Sequence, residues 1–309
     1  MVARHGSPVA AREPAGPVLH PDGVPWLSHR SHQARRRALQ LRRLLLWRTR
    51  PARYPLPSTA GPAERHPHLL YEQRVALRRD DDGAHPVLEA GKLANVRLAA
   101  PLLDGLLLAP GRPFSFWRAV GRLRAADGYR HGMELRGGCV VPSLGGGICV
   151  LTNALFAAAV QLGWTIVERH GHTLEVVAPP AGALWGVDAT AVWPDLDLRF
   201  AVPDGDGSAR LGVRVEADTL VLRVHGEQPS RHRVLLDIDD AGLMSVDGSR
   251  VRRGSVLRRI DNGPAELVAT NAKRLLEDGE RGRTCLTCDR LTCGARVVVP
   301  IGEVESAGS

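Results

Sequence analysis

The stretch GGCVVPSLGGGICVLTNALFAAAVQLGWTIVERHGH, residues 137–172, decides the fold of this chain. Its first third is glycine-rich and ends at Cys149. LTNALFAAAVQLG then reads as a helix, with Leu151, Leu155, Phe156, Ala159 and Leu162 on one side and Gly163 placed to cap its C-terminus. WTIVERHGHTLEVV alternates and carries β-branched residues, which predicts a strand, a tight turn at Gly171 and a second strand. A short-looped helix followed by antiparallel strands predicts an α+β fold, with an antiparallel sheet packed on the Cys-bearing helix.

Outward from this stretch the patterns continue. Upstream, LANVRLAAPLLDGLLL predicts a helix after a turn at Gly91, with Leu93, Val96, Leu98 and Leu102 apolar and Pro101 ending or kinking it. PGRPFSFW, residues 110–117, predicts a turn into a short aromatic strand whose bulky side chains are core. Downstream, residues 185–200 hold two strand-like runs separated at Pro194. Asp195 and Asp197 alternate with apolar residues there, which predicts a solvated strand face. Residues 208–262 alternate with period two, for example Leu211, Val213, Val215 and Leu220, Leu222, Val224, with turn signals between them. A short helix is expected around Ala272–Glu277. The division this implies is a low-order Arg/Pro-rich segment over 1–60, a core over 61–205, and a small β-rich region over 206–309 that ends in a cysteine cluster.

The net charge of +8 would suggest an anionic polymer as partner, but its distribution argues otherwise. Residues 1–50 contain ten arginines and two acids, so residues 51–309 carry 31 basic and 31 acidic side chains and are neutral. A neutral body is no nucleic-acid footprint. Residues 31–50 predict an amphipathic helix, with Ala38, Leu41, Leu45 and Leu44 on one face. That face either packs on the domain or serves as a peripheral membrane or protein contact. No apolar run approaches the roughly 18 residues of a membrane span. The N-terminus has no uninterrupted apolar stretch of the secretory kind, so the expected location is cytoplasmic.

Cys149 follows three glycines and Ile148 and opens a helix. Glycines permit a sharp turn and leave the sulfur accessible. A helix N-terminus favours the thiolate, and its free N–H groups can hold an oxyanion. A nucleophilic cysteine needs a base and a group to orient it. His170 and His172 end the next expected strand, and Asp188 follows in the next strand-like run. The order Cys, His, Asp is that of transglutaminase-like thiol enzymes. Gly146, Gly147, Thr152, Asn153 and Arg169 are the accompanying substrate-binding candidates. A zinc or iron site on Cys149, His170, His172 and Asp188, and a purely structural glycine-rich turn, are the competing readings.

Residues 65–225 resemble the VanW family. The resemblance is carried by Asn95–Pro110, PGRPFSFW (110–117), GYRHGMEL (128–135), LGGGIC (144–149), IVERHGH (166–172) and GVDATAVWPDLDLRF (186–200). It implies an association with glycopeptide (vancomycin) resistance and cell-wall metabolism, and a peptide or peptidoglycan-derived small molecule as partner. The family usually has Gln directly after the cysteine, and this chain has Val150. With the Cys149 constellation, the expected function is a thiol-dependent hydrolase or acyl/amide transferase. The alternative is a non-catalytic accessory or binding protein of the same process.

At the C-terminal end, CLTCDRLTC places Cys285, Cys288 and Cys293 at spacings of two and four residues. An x2 pair is the usual knuckle of a structural zinc site, although the fourth ligand is not local. Free or redox-paired thiols are the plain alternative.

Overall fold

The computed structural model describes residues 26–59, 63–78, 86–136, 139–175, 185–246 and 248–275. The cysteine cluster at 285–293 lies outside them, as do residues 1–25. Four helices are described: α1 (Trp26–Thr49), α2 (Pro86–Ala99), α3 (Phe116–Val120) and α4 (Cys149–Gln161). The fourteen strands are β1 (Ser58–Thr59), β2 (His68–Ala76), β3 (Leu106–Leu108), β4 (Phe114–Ser115), β5 (His131–Arg136), β6 (Cys139–Leu144), β7 (Thr165–Glu168), β8 (Leu174–Glu175), β9 (Arg199–Ala201), β10 (Ala209–Glu216), β11 (Thr219–Gly226), β12 (Val234–Val246), β13 (Ser249–Ile260) and β14 (Ala265–Leu275).

Mixed helix and antiparallel sheet make this an α+β protein. The largest sheet has the order β1-β3-β10-β11-β2, a second β12-β13-β14-β8, a third β4-β9-β7, and β5 and β6 form a hairpin. Pairing is antiparallel except between β14 and β8. β10 and β11, from beyond residue 206, thus lie between β3 and β2, from before it. Burial follows the period of two. Leu211 and Val213 on β10, and Leu220, Leu222 and Val224 on β11, are all at most 2% exposed, so each strand turns an apolar row to the core.

α4 is the centre of that core. Leu151, Thr152 and every residue from Ala154 to Val160 are buried, because the helix touches β2, β7, β11 and β12. Small Ala157, Ala158 and Ala159 let these elements approach it closely. The helix ends as its glycine predicts. Gly163 adopts φ +76°, Trp164 N–H donates to Ala159 O at 2.9 Å, and Gly163 N–H donates to Val160 O at 3.2 Å, the paired bonds of a Schellman cap.

Several local expectations are corrected. Among the described residues 164–175 there is no hairpin: β7 pairs with β9, β8 pairs with β14, and His170 O accepts from Thr190 N–H. The His170 carbonyl is therefore used by the segment at Thr190 and not across a local turn. The run at 185–200 yields only β9. Ala189 is held instead through its backbone by Thr152 and Asn153 of α4. No helix forms near residue 272: β14 pairs along its length with β13, so tertiary pairing overrides local helix propensity. Gly91 makes no turn but lies inside α2. A Cβ there would collide with His131 O, so the glycine permits the contact of α2 with β5. Phe114 and Phe116 are buried as expected, but the short strand gives way at once to α3.

α1 is helical, but its orientation is the reverse of the simplest packing. Trp47 is buried, and Gln40, Arg43 and Leu46 turn inward. Leu41 and Leu45 are 68% and 60% exposed. Arg43 fixes this arrangement by donating to both carboxylate oxygens of Glu168, at 2.6 and 2.8 Å. Trp47 meets Trp193 edge to face, 5.1 Å between ring centres. No helix among the described residues is long and apolar enough to cross a membrane.

Candidate active site

The turn before α4 works by close backbone approach. Gly147 has φ +88°, and a Cβ on it would run into the stem of Lys92 on α2. Gly146 faces Gly132 of β5, and a Cβ on either would overlap the other's backbone. Asn95 of α2, fully buried, ties this junction by donating to Gly146 O at 2.9 Å and Arg130 O at 3.0 Å. The four-residue turn therefore has one path, and it delivers Cys149 to the first position of α4.

Segment 188–191 is fastened against that helix end. Thr152 Oγ1 donates to Ala189 O at 2.6 Å, and Ala189 N–H donates to Asn153 Oδ1 at 2.9 Å. Thr152 and Asn153 thus hold the strand-like segment through its backbone. Thr190 Oγ1 then stands 3.7 Å from Cys149 Sγ, and Ala191 O 4.0 Å from it.

Of the two histidines, His172 is the one hydrogen-bonded with Cys149. Its Nδ1 lies 2.6 Å from Asp188 Oδ2, which also accepts from His172 N–H at 3.0 Å. With Nδ1 committed to Asp188, Nε2 is the ring nitrogen left for the sulfur. His170 points elsewhere, its Nε2 lying 3.1 Å from Glu168 Oε1. Asp188 is completed by a residue no local pattern announces. Lys273 of β14 donates to Oδ1 at 2.6 Å, and Arg169 stands 3.4 Å from the same oxygen. Arg169 is spent on the fold, donating to Asp188 O at 2.6 Å, Asn271 Oδ1 at 2.7 Å and Gly186 O at 3.0 Å.

The charges follow from these contacts. Burial alone would push the Cys149 thiol up, but the His172 hydrogen bond and charge, with Ala191 and Thr190, bring it below an ordinary thiol. Burial would lower His172, but Asp188 and the cysteine outweigh it and raise the imidazole to about 9. Burial would raise Asp188, but His172 and Lys273 hold it well below the usual carboxylate range. These contacts favour the thiolate of Cys149, the imidazolium of His172 and the carboxylate of Asp188.

Behind it lies a second buried network. Glu168 accepts from His170 and Arg43, which overcome its burial and hold it at about 2. Asp197 is fully buried, not solvated as its alternation predicts. It accepts from Ser115 Oγ at 2.5 Å and Trp117 N–H at 3.1 Å, and burial raises it to about 6. Alternation placed Asp197 on one face, but that face is covered by α3.

Cys149 and His172 open onto a cleft of about 1710 Å³. Its walls include Lys92, Met133, Ser143, Trp193, Arg258 and Thr270. Among the described residues, no group of three or more His, Cys, Asp and Glu has the geometry to hold a metal ion. Cys285, Cys288 and Cys293 lie outside the described residues.

Comparison with known proteins places this domain. Residues 91–225 match the family model described as VanW like protein. Vancomycin B-type resistance protein VanW of Enterococcus faecalis is 33% identical over 165 residues, 52% of this chain and 59% of that protein. The uncharacterized protein YoaR of Bacillus subtilis is 35% identical over 106 residues, 34% of each chain. This chain thus spans less than two thirds of the length of these relatives. No solved structure matches. The matched residues contain Cys149, His172 and Asp188, while Lys273 lies beyond them; over this stretch the chain is similar to the VanW family.

Proposed function

We propose that the protein is a thiol-dependent enzyme that cleaves or exchanges an amide bond in a peptide related to peptidoglycan. The observation that carries the proposal is the relay Cys149–His172–Asp188 at the wall of a large cleft. A thiolate needs no deprotonation step, so Cys149 Sγ attacks the carbonyl carbon directly. The developing oxyanion meets the Thr190 hydroxyl and the N–H end of α4. His172 gives its proton to the departing amine as the C–N bond breaks, leaving a thioester on Cys149. Water or an acceptor amine then attacks the thioester, with neutral His172 taking its proton, and the thiolate returns. Asp188 stays ionised throughout and keeps the imidazole oriented. Val150, where the family usually has Gln, packs partly into the core, so the oxyanion donors here are the hydroxyl and backbone groups. The substrate class rests on the family's relation to vancomycin resistance.

The test is incubation of the full chain with peptidoglycan stem peptides, followed by intact-protein mass spectrometry. A covalent acyl adduct at Cys149, absent in Cys149→Ala, is expected. Peptide binding in the cleft without an adduct or turnover, equal in Cys149→Ala, would instead establish a non-catalytic binding role.

A further inference from the structure

α1 shows solvent an apolar stripe that no contact among the described residues explains. Ala34, Ala38, Leu41 and Leu45 recur at helical spacing and are exposed, with Leu44 beside them at 39%. Arg35 and Arg42 flank the stripe on one side, Arg37 and Arg48 on the other, and all four are exposed. The helix contains seven arginines and no acid. Its opposite side is already seated, through the Arg43–Glu168 ion pair, the Gln40 contact to Trp193 O and the Trp47–Trp193 ring pair. The exposed stripe is thus not needed to dock α1 on its own domain.

We infer that the outer face of α1 binds the surface of an anionic lipid bilayer. An apolar row enters the headgroup boundary while arginines beside it reach phosphate, their stems lying along the apolar surface. A second copy of the chain is a poor occupant, because it would bring the four exposed arginines against four like charges. A nucleic acid would leave the leucine row unused. The surface is independent of the proposed catalysis. It adjoins the cleft all the same, since Trp193 and Glu168, on which α1 sits, also line it.

The test is flotation of the full chain with phosphatidylcholine vesicles and with vesicles of equal parts phosphatidylcholine and phosphatidylglycerol. Partitioning at least ~10-fold stronger onto the anionic vesicles, weakened by salt, is expected. Leu41→Glu with Leu45→Glu should reduce it at least ~10-fold, as should replacing Arg35, Arg37, Arg42 and Arg48 by Gln. Because these side chains are exposed, the variants should keep the parent circular dichroism and Cys149 alkylation rate. Equal binding to both vesicles, no binding to either, or leucine variants that still float would overturn the inference. So would self-association by light scattering that disappears in the leucine variant.

Discussion

Lys273 donates to Asp188 Oδ1 at 2.6 Å, across a separation of 85 residues. The other oxygen of that carboxylate holds His172 at 2.6 Å. The last described strand, outside the family match, therefore grips the acid of the Cys–His–Asp relay. Both side chains are nearly buried, at 10% and 15% exposure. Breaking a buried pair leaves an uncompensated charge at a cost of about 3–5 kcal/mol. We expect Lys273→Met and Asp188→Asn each to destabilise by about 3 kcal/mol in denaturant unfolding. The double variant should lose less than the sum, with a coupling of at least ~1 kcal/mol. Additive losses would show that the two residues act independently.

Gly147 tests the turn that presents Cys149. Alanine there meets both an unfavourable positive φ and the Lys92 stem. Gly147→Ala should cost about 2–3 kcal/mol and lower Cys149 reactivity. Gly248 has a comparable φ of +75° with nothing within 4 Å of a Cβ. Gly248→Ala should therefore cost only about 1 kcal/mol and leave the thiol unchanged. Equal losses in thermal unfolding would rule out the steric part of this account.

Asp197 supplies a pH dependence of stability. Burial raises it to about 6 in the fold, against roughly 3.9 for an unperturbed Asp. The folded state thus binds the proton more tightly. Its contribution is full below about 4 and lost as pH rises through about 6. Asp197→Asn should flatten this slope and be at least as stable as the parent at pH 7.5. Asp197→Ala should lose about 2 kcal/mol, because Ser115 Oγ–H and Trp117 N–H lose their acceptor. An Asn variant as unstable as the Ala variant would contradict the assignment.

The parts legible in the sequence are those governed by local periodicity. α4, its glycine cap, and the alternating β10 and β11 all show it directly. Residues 185–191 do not, because side chains of Thr152, Asn153 and Arg169 hold their backbone in place of a ladder. The end of β14 reads locally as helix, and only its long-range pairing with β13 makes it a strand. Lys273 is hidden for the same reason: its partner is chosen by the register of that pairing. The stripe on α1 is legible, but its direction depends on Arg43 finding Glu168 across 125 residues. His170 and His172 look equivalent until β7 ends at Glu168 and the next residues turn toward Asp188.

The central claim is that Cys149 rests as a thiolate paired with His172. It is tested most directly by the iodoacetamide alkylation rate of Cys149 as a function of pH, resolved by mass spectrometry from the other cysteines. Reactivity should already be high in mild acid, well below the roughly 8.5 midpoint of an ordinary thiol. It should change again near the imidazole's value of about 9, as His172 loses its proton. His172→Ala should abolish the acid-side reactivity and slow alkylation at pH 6 at least ~10-fold. A single rise at or above about 8.5, unaltered in His172→Ala, would contradict the account.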